Sequence, residues 1–338
     1  MLNNETPQDE PRTSKTSSTG RLFETLLREA HEAVAKQKYL DAVYRLEELL
    51  RHEEFLHDHE KIVLHTELAT VLFWLGDYKT ALYHCEKALG YASENDQVYA
   101  LLGKIAVSEF RFSDARNFFA KIHRDNPARA LGQCLVCIKV RDTRGAQNFL
   151  NEIARKVSPA DKEFKVYTAY VRLLQGNTKE AIADARKLLS LCEREPFLMV
   201  LVAEILITAG NFGEASAAAQ KVRRVCPEND AALALLAHAA YAEQDFDAAK
   251  DYAEQAVRLN GRNAYAKTVL MKCAVRRGDY STAEVLGQKV LEDSPEYSLG
   301  RANLGDVYFL QGRYELAELE YGETEQLMDS ETKGARLR

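Results

Sequence analysis

Apolar residues run through this sequence in pairs of helically spaced stretches, each pair joined by a short polar turn that recurs in nearly the same letters. The turn reads GDYKTA at residues 76–81, GNFGEA at 210–215, GDYSTA at 278–283 and GRYELA at 312–317. Looser copies end at Ala42, Ala115, Ala146, Ala181 and Ala249. Three residues before these alanines stand Tyr39, Tyr78, Phe112, Thr143, Thr178, Phe212, Phe246, Tyr280 and Tyr314, in steps of 39, 34, 31, 35, 34, 34, 34 and 34 residues. Twelve residues before the alanine the side chain is small in every copy, from Ala30 to Gly305, except at Met271. Self-similarity at a fixed period of this size marks a stack of supersecondary units.

A Gly-Asp or Gly-Asn pair between two apolar-periodic stretches ends one helix in a left-handed cap and starts the next. The small residue on the first helix then faces the alanine on the second, so the two backbones approach closely, and the turn aromatic fills the space beside them. Pro127, Pro227 and Pro295 suit the first turn of a following helix, where no backbone N–H is needed. The pattern predicts antiparallel helical hairpins with first helices near residues 21–36, 59–75, 95–109, 127–140, 160–175, 195–209, 229–243, 263–277 and 297–311. One hairpin cannot bury its own apolar face, so neighbours must stack.

The period, the small–aromatic–alanine spacing and the recurring proline resemble the tetratricopeptide repeat (TPR) family over residues 21–328. That resemblance implies an all-α fold, a right-handed TPR superhelix (α-solenoid) of about nine helical hairpins, whose first helices line a concave groove. Two steps depart from the period. The 39-residue step implies extra residues around positions 52–59, and the 31-residue step marks a tightened fourth unit. Residues 1–20 are polar and aperiodic, and are expected as a disordered tail, with 329–338 a short frayed C-terminal tail. Residues 40–90 also resemble, mostly at generic repeat positions, the TPR scaffold subunits of the anaphase-promoting complex, which implies a non-catalytic subunit of a large assembly. The TPR subtype that clamps chaperone tails is not matched, since Leu27 with His31 and Thr66 with Thr70 replace its lysine and asparagine.

Composition narrows the function classes. Good helix formers dominate, with only 17 glycines and 7 prolines in 338 residues. Lys plus Arg is 45 against 51 for Asp plus Glu, a formal charge of -6 that gives no basic footprint for nucleic acid. The longest apolar stretch, residues 197–203, is too short to cross a bilayer, and the N-terminus lacks the basic-then-apolar run of a signal peptide. Six cysteines in so long a chain do not make a disulfide framework. The expectation is a cytoplasmic protein, with the nucleus also open to it in a eukaryote, that binds neither nucleic acid nor membrane.

Candidate chemistry is sparse. Cys134 and Cys137 form a lone CxxC on a first helix, and without a second pair they read as core cysteines. His52, His57 and His59 crowd the inter-repeat insertion but miss the HExxH spacing, so they read as a solvated helix end. No phosphate-binding loop, dinucleotide fingerprint or nucleophile elbow occurs, and the carboxylates are scattered at surface charge-pair spacing. We therefore expect no catalysis and no cofactor or metal.

Binding is the remaining class. The residues eleven before each alanine should face the groove: His31, Thr70, Lys104, Leu135, Tyr170, Glu204, His238, Lys272 and Asp306. They vary while the framework around them repeats. Two patches stand out, one of Thr66, Thr70, Phe73 and Trp74, and one of Tyr241, Tyr265, Lys272 and Arg276, the latter an aromatic anchor beside basic residues suited to an acidic or C-terminal peptide. The expected partners are proteins or peptides. Leu316, Leu319, Tyr321 and Leu327 on the last hairpin would leave apolar surface uncapped, which points to a homodimer through terminal repeats or to a subunit role. The alternative is a bacterial-type assembly or secretion factor that holds client peptides in the groove.

Overall fold

The computed structural model describes residues 12–158 and 160–334. Its helices pair as α1 (Arg12–Ala35) with α2 (Tyr39–Leu50), α3 (Asp58–Leu75) with α4 (Tyr78–Tyr91), α5 (Asp96–Ser108) with α6 (Phe112–Lys121), and α7 (Pro127–Lys139) with α8 (Thr143–Ile153). Then come α9 (Lys162–Leu174) with α10 (Thr178–Leu191), α11 (Pro196–Thr208) with α12 (Phe212–Val225), and α13 (Asp230–Ala242) with α14 (Phe246–Leu259). The array closes with α15 (Ala264–Arg276) and α16 (Tyr280–Asp293), then α17 (Ser298–Leu310) and α18 (Tyr314–Gly334). No strand occurs among the described residues. The nine hairpins stack into the expected α-solenoid.

Each turn is set by one left-handed residue. Gly76, Gly176, Gly210, Gly278 and Gly312 take φ between 74° and 95°, and where glycine is missing Gln37, Phe110, Arg141 and Gln244 take φ between 57° and 66°. The Asp that follows often caps the second helix: Asp77, Asp142, Asp245 and Asp279 accept the backbone N–H three residues on. Beyond the turn, the repeat alanines from Ala42 to Ala317 are at most 2% exposed, which fixes the close approach of the two helices.

Three boundaries differ from expectation. Residues 1–11 lie outside the described residues, but the backbone is already helical from Arg12, not from 21. The segment has no apolar residue to reveal a period, while extending an existing helix needs no new nucleus. At the other end α18 continues to Gly334, past 328, and residues 335–338 lie outside the described set. The extra residues near 52–59 form a short 3₁₀ turn, Glu53–Phe55. The shortened step falls on α6, which has 10 residues where α4 has 14, so the tightening belongs to the third hairpin.

The superhelix then folds onto itself. The first turn meets the start of the sixth hairpin, where the Gln37 amide donates to the Glu193 carbonyl (2.9 Å) and the Tyr39 hydroxyl to the Arg194 carbonyl (3.1 Å). At the second turn the Asn229 amide donates to the Trp74 carbonyl (3.0 Å) and Phe73 packs on Phe197 at 5.2 Å. The third turn meets the ninth hairpin: Ser294 donates to the Glu109 carbonyl (3.0 Å), and the rings of Phe110 and Tyr297 lie 4.2 Å apart.

Candidate functional site

These long-range contacts roof the concave side, so the expected open groove is a cavity of about 570 Å³. Six of the anticipated groove residues line it: Phe73, Trp74, Tyr170, Glu204, His238 and Tyr265. Phe73 is only 4% exposed against Phe197, and Trp74 stands edge-on to Tyr39 at 5.7 Å, so the expected N-terminal anchor is occupied by the chain's own turns. Thr66 and Thr70 do not reach the cavity. Both hydroxyls donate along their own helix, to the carbonyls of Ile62 (2.7 Å) and Thr66 (2.8 Å).

Two of the five charged candidates, Lys104 and Glu204, are held in ion pairs. Lys104 pairs with Glu163, its ammonium 5.8 Å from the Phe197 ring centre, and Lys139 pairs with Glu204. Tyr265 bonds His238, and the two rings stack at 5.5 Å. Burial, with Lys272 nearby, pulls the His238 pKa down to about 4. Lys272 is also pulled down by burial, against the opposing pull of Asp306. Asp306 in turn accepts from the Tyr321 hydroxyl at 2.6 Å. Arg276 lies 4.4 Å over the Phe246 ring, whose edge meets Tyr241 at 5.4 Å. The C-terminal patch therefore splits in two: Tyr265 faces the cavity, while Tyr241 and Arg276 form part of the seam between the seventh and eighth hairpins.

Sequence reasoning missed Arg141. This left-handed turn residue lines the cavity near Tyr170 and Tyr297 and, among the described residues, has no carboxylate partner. Nothing local marks it, because Tyr297 is brought to it only by the superhelix. A second surprise lies in the second hairpin, where the Nδ1 atoms of buried His65 and His84 share a hydrogen bond of 2.8 Å and His65 bonds Glu53 at 3.1 Å. Burial, then the neighbouring His65, lowers the His84 pKa to about 4. All six cysteines are buried free thiols, and burial raises Cys85, Cys137, Cys192 and Cys226 to about 12, which makes them inert packing groups. Among the described residues no three His, Cys, Asp or Glu side chains converge as metal ligands, and no helix is long and apolar enough to cross a membrane.

The end of the stack is also informative. The residue eight before the repeat alanine and the one three before it form a pair at each turn. Phe73 with Tyr78 is 4% and 8% exposed and Val107 with Phe112 is 2% and 5%, under the next hairpin and the distant hairpins of the roof, while Val275 with Tyr280, covered by the ninth hairpin alone, is half-buried. In the last hairpin the equivalent Phe309 and Tyr314 are 56% and 63% exposed. Of the apolar residues expected to be uncapped there, Leu316 and Tyr321 are half-buried. Leu319, 54% exposed, occupies a position that is exposed also at Tyr44, Tyr83 and Val285, and so belongs to the convex side.

A family model described as "Psidin, N-terminal TPR repeats region" matches residues 163–296, and a tetratricopeptide repeat model matches 274–327. Residues 163–327 therefore carry TPR repeats. The period and the hairpin geometry extend the same repeat to the N-terminal hairpins. No curated protein matches its sequence. Among solved structures, the TPR chain is similar to one in the APC/C hetero-tetramer Cut9-Hcn1, with a TM-score of 0.56 at 16% identity over 95% of this chain and 67% of that one. It is also similar to a Rap protein complexed with Competence and Sporulation Factor, with a TM-score of 0.58 at 11% identity over 92% and 99%. At these identities the likeness is one of fold.

Proposed function

We propose that this TPR protein is a non-catalytic scaffold, a stable subunit or adaptor of a larger protein assembly. The observation that carries the reading is the uncovered seam at the C-terminal end of the stack. Eight hairpins have their next-facing surface covered by a neighbour, whereas the ninth leaves Phe309, Leu310 and Tyr314 about half exposed or more. Terminal repeats that stand alone in water need a polar outer face, so an aromatic one favours a protein partner. The Cut9-Hcn1 assembly, built on a similar fold, supports the same class of role.

The alternative, a factor that threads client peptides along the groove, is disfavoured by the roof of self-contacts at Trp74, Glu109 and Phe110, which shortens the groove to a cavity. A single test separates the two: purify the tagged chain from its own cells, size the native species and identify what co-elutes. A large species of fixed composition supports the scaffold reading. A small species with varied, substoichiometric passengers contradicts it.

A further inference from the structure

The chain itself contains templates for what covers such a seam. At the seventh hairpin, the Tyr241–Phe246 pair occupies the same repeat positions as Phe309–Tyr314, and the guanidinium of Arg276, near the end of the next first helix, lies 4.4 Å over the Phe246 ring. One residue after the repeat alanine of the eighth hairpin, Glu284 accepts from the Gln311 amide (3.0 Å) and from Arg313 (2.8 Å), both from the following turn region. The equivalent of Glu284 in the last hairpin is Glu318, which is exposed and has no ion-pair partner among the described residues. Phe309 and Tyr314 meet edge to face at 5.5 Å, in the manner of the Tyr241–Phe246 pair, with nothing over them. Glu325, also exposed, continues the acidic edge along α18.

From this we propose that the open face of α17 and α18 docks a helix of a partner protein. The helix stacks as the first helix of a further hairpin would, with a basic side chain over the Phe309–Tyr314 pair and a second at Glu318. A cation over an aromatic face and a charge-assisted pair to a carboxylate are the two interactions that the internal seams already use. A second copy of this chain is a poor occupant. At the positions where Gly300 and Leu304 pack onto α16, α1 presents Thr25 and Glu29, and Glu29 is already paired with Arg45 at 3.2 Å. Ala35 stands where Arg276 stands in α15, so a stacked second copy would bring no cation over the aromatic pair.

This inference rests on the scaffold reading but can fail separately from it. The probe is a stapled helical peptide of residues 262–278, the chain's own eighth first helix, which carries Arg276 and Arg277 at the needed register. Its binding to the full chain is read by fluorescence anisotropy. We expect a dissociation constant on the order of 10 µM, weakened about tenfold by Phe309→Ala with Tyr314→Ala. Glu318→Lys leaves the apolar surface intact and so guards against misfolding. It should weaken the probe, and an Arg277→Glu probe should recover the loss. Circular dichroism confirms that each variant keeps its helices.

Absence of binding at about 100 µM, or binding that ignores these substitutions, overturns the inference. So does self-association of the chain that Phe309→Ala abolishes, since the occupant is then a second copy. A chain that sits in a fixed assembly yet ignores the probe would leave the scaffold reading standing and remove only the proposed occupant.

Discussion

The two ends of the stack are built from the same repeat and finished differently. At the N-terminal end α1 turns Thr25 and Glu29 outwards at positions filled by Leu64 and Leu68 in α3, both 0% exposed there. At the C-terminal end the turn aromatic and its partner are kept, and no described hairpin covers them. The outer face of α1 is thus polar, whereas that of the ninth hairpin presents exposed aromatic rings. A handful of substitutions at otherwise fixed positions is enough to make the two ends of a repeat stack differ in polarity.

The close-packed interior gives the largest expected effect. A Cβ on Gly103 would lie 2.4 Å from the ring of Phe119, which is 1% exposed, whereas a Cβ on Gly305 in the last hairpin would lie 2.7 Å from the half-buried Tyr321 ring. Gly103→Val should therefore cost about 3 kcal/mol or more and Gly305→Val distinctly less, because Tyr321 has room to swing outwards. Urea unfolding of both variants checks the order, and equal losses would mean that the C-terminal end is as tightly held as the middle.

Acid should loosen both halves. His84 and His238 have folded pKa values near 4 against an ordinary 6.5, so between these values the unfolded chain binds more protons than the folded one. Stability is complete above pH 6.5 and falls as the pH drops towards 4, by about 1.4 kcal/mol per pH unit for each histidine. Amide hydrogen exchange at intermediate pH should show the loosening in both the second and the seventh hairpins, and loss confined to one would break the symmetry.

Making the first end resemble the last is a gain-of-function test. Thr25→Leu with Glu29→Leu should convert the polar cap into an apolar face and produce concentration-dependent oligomers in analytical ultracentrifugation, with helical content unchanged. A monomer would show that exposure of that face alone does not decide association. The smallest effect is expected at the roof. Phe110 takes φ of 57° and stacks on Tyr297, so Phe110→Gly relieves the backbone while losing the ring contact, for a net loss of about 1 kcal/mol in thermal unfolding.

The repeat was legible because each hairpin restates one local rule, and first-helix boundaries came within about two residues at every copy except the first. The roof was not legible. It joins Trp74 to Asn229 and Glu109 to Ser294 across 155 and 185 residues of sequence, and depends on small rotations summed over several hairpins. For the same reason Phe73 and Trp74 looked like a free anchor but are turned onto the chain's own sixth and seventh hairpins. Arg141 was hidden by the same cause. Phe309 and Tyr314, by contrast, were readable in principle: they are ordinary seam positions in the ninth copy, which no described hairpin covers.

The most direct measurement is the native size of the endogenous tagged chain, wild type beside the Phe309→Ala, Tyr314→Ala variant, in matched extracts. The account predicts a large species of fixed composition for the wild type and a small, folded species for the variant. A variant that stays in the large assembly, or a wild type that migrates alone, would contradict the claim that the C-terminal seam is where this scaffold is joined.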